Sequence, residues 1–137
     1  MRAAAAMATV KMTCAMLRDA VRDGDGYARA DVARGPVIRR VWCQGWVLED
    51  DGFACAMRDG TGDVRVERRA RERALRAETY VVVRGTLASD DARGRVVREA
   101  DVVGVDDASV GTARSDAWLA EVAELWDGVF AAGLGCA

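Results

Sequence analysis

The stretch VWCQGWVLEDDGFACAMRDGTGDVRV, Val41–Val66, decides the fold. Val41, Cys43, Gly45 and Val47 alternate with Trp42, Gln44, Trp46 and Leu48, the two-residue period of an extended strand. The EDDGF that follows is a hairpin turn, because Asp-Gly tolerates the positive φ such turns need. FACAMRD returns as a second strand, DGTGD turns the chain again, and DVRVE forms a third. Downstream, TYVVVRGTLA is a β-branched fourth strand, and RVVREADVVGV, beyond the turn SDDARG, is a fifth. Five short strands at this turn spacing predict a mainly β fold, a five-stranded Greek-key barrel of the OB type. Gly45 in mid-strand agrees, since such barrels bend their first strand sharply and glycine permits the bend.

Helical periodicity frames the strands. Val10, Cys14, Leu17 and Val21 recur on one face and predict a first helix, which RDGDGY ends. ARADVARGP is a loop in which Pro36 forces extended chain. Between the third and fourth strands, RRARERALRAE has helical propensity and no Gly or Pro. The last helix is predicted over residues 112–132, with Ser115 near its N-cap and Gly133 as its stop. There Trp118, Val122, Leu125 and Val129 form one stripe, and Leu119, Trp126 and Phe130 a second beside it. Together they exceed one core-facing stripe, so the helix is expected to serve two neighbours. The predicted organisation is a flexible N-terminus over 1–9, a single domain over 10–132 and a tail over 133–137.

Composition narrows the function. The chain has 137 residues, 51% of them hydrophobic and 31% charged, which fits one globular domain with one core. No apolar run approaches the roughly 18 residues of a membrane-spanning helix, and no membrane partner is expected. The net charge of −2 argues against stand-alone DNA binding, because neutralising phosphates supplies most of such affinity. Cys14, Cys43, Cys55 and Cys136 form no C-x-x-C pair and no histidine exists to complete a mixed site. No metal or cofactor is expected, and the thiols read as small buried hydrophobes.

Catalytic patterns are missing as well. DGTGD lacks the lysine and the following helix of a phosphate cradle. Asp50–Asp51, Asp90–Asp91 and Asp106–Asp107 lie in predicted turns, where adjacent side chains point apart and suit a two-metal site poorly. With no nucleophile–base pair, the chain reads as a non-enzyme. Arg68, Arg69, Arg71, Arg73 and Arg76 interleave with Glu67, Glu72 and Glu78, a solvated segment rather than a DNA contact. Trp42 and Trp46 point away from the barrel interior. Two readings of them stand: satellite core beneath the flanking helices, or an aromatic partner surface.

KMTCAMLRDA, VWCQGWVL, RDGTGDVRV, YVVVRGTL and AWLAEVAEL, in that order, resemble the RecQ-mediated genome instability protein 2 family across residues 10 to 130. The segment from Arg98 to Trp118 is longer than the family pattern and lacks the proline usual before the last helix. The resemblance implies a non-catalytic nuclear subunit that pairs with an OB-fold of RecQ-mediated genome instability protein 1. It implies support of the complex between a Bloom-type RecQ helicase and topoisomerase IIIα in double Holliday junction dissolution. It further implies that Trp118, Val122 and Leu125 of the last helix meet the partner, together with Trp42 and Trp46. Lys11 and Arg98 would pair with the partner's acidic groups, and a peptide of a Fanconi anaemia M-type helicase would use the same region. On this reading Trp118→Ala weakens partner capture and leaves the barrel folded. The alternative is an independent single-stranded-nucleic-acid-binding OB module, which needs a basic groove lined with stacking aromatics. For that role the barrel offers only Trp42, Trp46, Phe53 and Tyr80.

Overall fold

A computed structural model describes residues 9–32, 35–90, 94–105 and 108–132. The chain opens with β1 (Thr9–Lys11), α1 (Cys14–Asp19) and a hairpin of β2 (Val21–Asp23) and β3 (Gly26–Ala28). Five strands follow: β4 (Arg40–Asp50), β5 (Ala54–Arg58), β6 (Asp63–Arg68), β7 (Tyr80–Asp90) and β8 (Gly94–Val105). They neighbour one another in the order β4-β5-β6-β8-β7, and β7 pairs back onto β4 to close the barrel. The β6–β8 pairing is parallel and the other barrel pairings are antiparallel. This is the OB barrel that the alternation predicts. α2 (Ala108–Glu124) then crosses the outside of the barrel and widens into a π-helical segment, Leu125–Ala132.

The alternation fixes the core. Val41, Cys43 and Val47 of β4 point inward with Met57, Val66, Val81, Val83 and Val97 from the other strands, and all are fully buried. Gly45 is required by close approach, since a Cβ there would lie 2.4 Å from the carbonyl oxygen of Arg58. Gly52 holds the β4–β5 turn at φ +95°, the left-handed region that the EDDGF reading demands.

The N-terminal third departs from the sequence expectation. In place of one helix from Val10 to Val21 stand a strand, six helical residues and a hairpin. Val10 belongs to β1, which runs parallel to β4 with Thr9 opposite Arg40 and Lys11 opposite Trp42. Thr9, assigned to the terminus by sequence, is therefore already in the sheet. Val21 lies on the hairpin and is 43% exposed. Three-residue strands are too short for period to reveal, and the parallel partner of β1 lies some thirty residues away.

Two other boundaries move. RRARERALRAE forms no helix: the amides of Glu72 and Leu75 bond to Gly52 O and Asp50 Oδ2 across the chain. The last helix begins at Ala108, so Ser115 sits inside it and caps nothing. Cys136, Asp91, Asp106, Asp107 and Gly133, and the side chains of Val129 and Phe130, lie outside the described residues.

DGTGD is a turn, and it also caps α1. The Asp59 carboxylate, 4% exposed, accepts the Cys14 amide at 2.8 Å and the Thr61 amide at 2.9 Å. Thr61 Oγ1 donates to Asp59 at 2.6 Å and accepts the Ala15 amide at 3.0 Å, while Thr13 Oγ1 accepts the Met16 amide. The orphan donors of the first helical turn are thus satisfied by side chains. Asp59→Ala is expected to lower stability by about 1–2 kcal/mol in urea unfolding, with the barrel retained. An unchanged midpoint would rule out this capping role.

Candidate interaction surface around the C-terminal helix

The helix α2 lies against the outer face of β4 and β7, over the side chains that alternate away from the barrel interior. Gly111 permits the close seat: a Cβ there would stand 2.8 Å from the Tyr80 side chain and 3.0 Å from the Trp46 ring. Trp46 meets Tyr80 edge to face, with ring centroids 4.9 Å apart. The Tyr80 hydroxyl donates to Gln44 Oε1 at 3.0 Å, so this outward pair is buried and satisfied. Burial pushes the Tyr80 hydroxyl well above its ordinary pKa, and the hydroxyl stays protonated.

One helical stripe does the covering. Trp118, 3% exposed, packs on Trp42 with ring centroids 6.0 Å apart. Val122 and Trp126 follow at four-residue spacing and are also buried. Trp126 Nε1 donates to the carbonyl of Lys11 at 2.9 Å, which ties the helix to β1. Lys11 Nζ completes the joint, 3.1 Å from Glu121 and 4.6 Å from the Trp42 ring centroid. Arg84, opposite Trp42 on β7, also lies over that ring at 4.5 Å.

The residues expected at a partner surface therefore sit as follows. Trp118 and Val122 face the chain's own barrel. Trp42 and Trp46 point outward as the alternation requires and are half-buried, with α2 packed against them. Lys11 is paired inside the chain, and Arg98 likewise, at 3.1 Å from Glu67 and 3.6 Å from Asp90. Leu125 is half-buried at the border of the stripe, as is Leu119. The opposite side of α2 is open to solvent and carries Ala113, Ala117 and Ala120, with Asp116 and Glu124 beside them.

Sequence reasoning missed one buried pair. Val64, Val66 and Arg68 alternate into the barrel along β6, and the Arg68 guanidinium meets Asp50 through two parallel bonds of 2.7 Å. The alternation of DVRVER was the available signal, hidden by the arginine run that follows. The buried thiols behave as read: desolvation pushes Cys14, Cys43 and Cys55 up, Cys55 to about 11, so they remain neutral.

A concavity of about 620 Å³ opens beside β5 and β6. Arg18, Arg65 and Arg95 line it against Glu49, Asp51 and Asp63, over a floor of small residues, and among the described residues no aromatic ring takes part.

A family model for RecQ-mediated genome instability protein 2 matches residues 8–126. No curated protein matches the sequence. Among solved structures, a chain of a replication protein A heterotrimer bound to single-stranded DNA is similar at 19% identity and a TM-score of 0.60. The alignment covers 81% of this chain and 91% of that one, a likeness of fold. The matched span takes in β1, the whole barrel and the covering stripe of α2 and its π-helical continuation as far as Trp126, so this chain belongs to the RecQ-mediated genome instability protein 2 family, OB-fold proteins of genome maintenance.

Proposed function

We propose that the chain is a non-catalytic nuclear subunit that pairs with an OB-fold of RecQ-mediated genome instability protein 1. In that role it supports a Bloom-type RecQ helicase and topoisomerase IIIα in double Holliday junction dissolution. A peptide of a Fanconi anaemia M-type helicase is a further partner of the same assembly. The observation that carries this reading is the family match, which runs through the barrel and into α2. The contact surface is the solvent side of α2. Ala113, Ala117 and Ala120 let a partner helix approach closely, and Leu119 and Leu125 supply apolar borders. Trp118, Val122 and Trp126 act from beneath, by holding the helix on the barrel. Lys11 and Arg98 are engaged within the chain, so their effect on a partner is exerted through the fold.

The test separates the surface from its support. Ala117→Arg places a long cation on the open side of α2, where it meets water in the free chain and the partner in the complex. Capture of the purified partner OB-fold is expected to weaken by about tenfold or more, while stability stays within roughly 0.5 kcal/mol. Wild-type protein that fails to bind this partner would sink the assignment. Tight binding by the arginine variant would sink the choice of face. The single-strand-binding alternative has less behind it, because the groove beside β5 and β6 balances its arginines with acids and offers no stacking ring.

A further inference from the structure

A polar cluster lies away from the contact face of α2, where the β2–β3 hairpin packs on the ends of β7 and β8. Its centre is Tyr27, 1% exposed and tied to Ile38 by backbone bonds in both directions. The Arg22 and Arg95 guanidinium carbons lie 5.3 Å and 5.0 Å from the Tyr27 ring centroid. Both guanidiniums also reach the hydroxyl end of the ring. Arg22 Nη1 donates to the Tyr27 hydroxyl at 3.3 Å, Tyr27 and Ser89 share a hydrogen bond of 2.6 Å, and Arg95 Nη1 donates to Ser89 Oγ at 3.3 Å. Arg95 is held from behind as its Nε donates to Ala20 O at 2.9 Å.

Among the described residues neither guanidinium has a carboxylate partner. Asp25, on the hairpin turn, is held by Arg39, and Asp23 beside Arg22 forms no ion pair among the described residues. Two cations are thus brought together over one ring and two hydroxyls without an ion pair among the described residues, Arg22 acting on Asp25 only as a longer-range charge. Planar guanidinium forks, with the one hydroxyl proton not spent between Tyr27 and Ser89, match a tetrahedral dianion with several acceptor oxygens. We propose that Arg22, Arg95 and Ser89, backed by the buried Tyr27, form a binding site for a phosphorylated side chain of a protein segment.

The surroundings favour a single phosphate over a nucleic-acid backbone. Arg95 also lines the 620 Å³ groove, in which Glu49, Asp51 and Asp63 face Arg18 and Arg65. A chain with a charge at every nucleotide would meet those acids, and no ring lines the groove to take its bases. A peptide bearing one phosphate among basic residues satisfies both ends of the groove. The idea draws on the recruiting role proposed above for its purpose, but its test uses this chain alone.

Isotope-labelled full-length protein is titrated with Gly-Lys-phosphoSer-Lys-Gly, its unphosphorylated twin and a twelve-nucleotide oligo-dT, and followed by NMR. Only the phosphopeptide is expected to move the signals of Arg22, Ser89 and Arg95, with a Kd of about 1 mM or tighter. Affinity should rise between pH 5 and 7.5, as the phosphate takes its second charge near a pKa of about 6. Arg22→Ala should weaken binding by about tenfold with the barrel amides unshifted. Equal binding of the unphosphorylated twin overturns the proposal, as do shifts confined to other residues or an Arg22→Ala variant that binds normally. Tighter binding of oligo-dT at these same residues overturns it in favour of nucleic acid. Loss of partner capture by α2 variants bears only on the subunit reading.

Discussion

Arg68→Ala is expected to destabilise the protein by about 3–5 kcal/mol, among the largest effects of any single change in this chain. The side chains of Arg68 and Asp50 are 1% and 0% exposed, so neither has water to fall back on. Removal of the guanidinium leaves a carboxylate in the barrel wall with only the amides of Gly52 and Leu75 to stabilise it. The Leu75 bond holds the segment after β6 and the Gly52 bond the β4–β5 turn, so both backbones should loosen together with the barrel. The pH dependence gives an independent check. Burial alone would raise the Asp50 pKa, but the Arg68 guanidinium and the Leu75 and Gly52 amides outweigh it and lower the value below the ordinary 3.8. A depressed folded value means the pair's contribution is fully present above 3.8 and is lost as pH falls through the folded value. The stability gap between wild type and Arg68→Ala, measured by urea unfolding, should therefore be widest near neutrality and close in strong acid. Asp50→Leu combined with Arg68→Met should cost much less than Arg68→Ala, because no lone charge is left behind. Equal urea midpoints for wild type and Arg68→Ala at pH 7 would contradict this account.

That pair also shows what could be read in the sequence. The barrel was legible because its strands alternate cleanly over five residues or more and their turns carry Asp-Gly. Arg68 continues the inward rank of Val64 and Val66, but a run of arginines reads as solvent-facing by composition, and composition was the misleading signal. The first helix failed for the opposite reason. Val10, Cys14, Leu17 and Val21 have helical spacing, yet they belong to a strand, a short helix and a hairpin whose partners are remote. Local period carries no information about the parallel contact of β1 with β4, nor about a β5–β6 turn that caps α1. The outward direction of Trp42 and Trp46 followed from alternation. What covers them did not, because the seat of α2 depends on Gly111 and on the joint at Lys11, both set by tertiary packing.

Trp118→Ala is the second change expected to have a large effect, about 3–5 kcal/mol, and it acts on the fold first. Trp118, Val122 and Trp126 form the stripe that faces the barrel, and Trp118 packs ring to ring on Trp42. Its loss leaves a cavity between α2 and β4, bordered by Lys11 over the Trp42 ring, that a charged side chain cannot fill as an indole does. Amides of α2 should then exchange rapidly with solvent while those of β7 and β8 stay protected. Partner capture should fall as well, but as a consequence of a helix that no longer holds its position. Ala117→Arg is the necessary comparison, since it removes capture at unchanged stability if the open side of α2 is the contact. The two variants together read the helix from both sides. If Trp118→Ala kept wild-type stability and α2 protection yet lost the partner, the indole would be a direct contact, and the helix would have to rotate or lift on binding to present it. Trp118→Phe discriminates further. A ring that fills most of the cavity should restore α2 protection and capture in parallel if the role is support, whereas a direct contact would leave capture impaired on a stable helix.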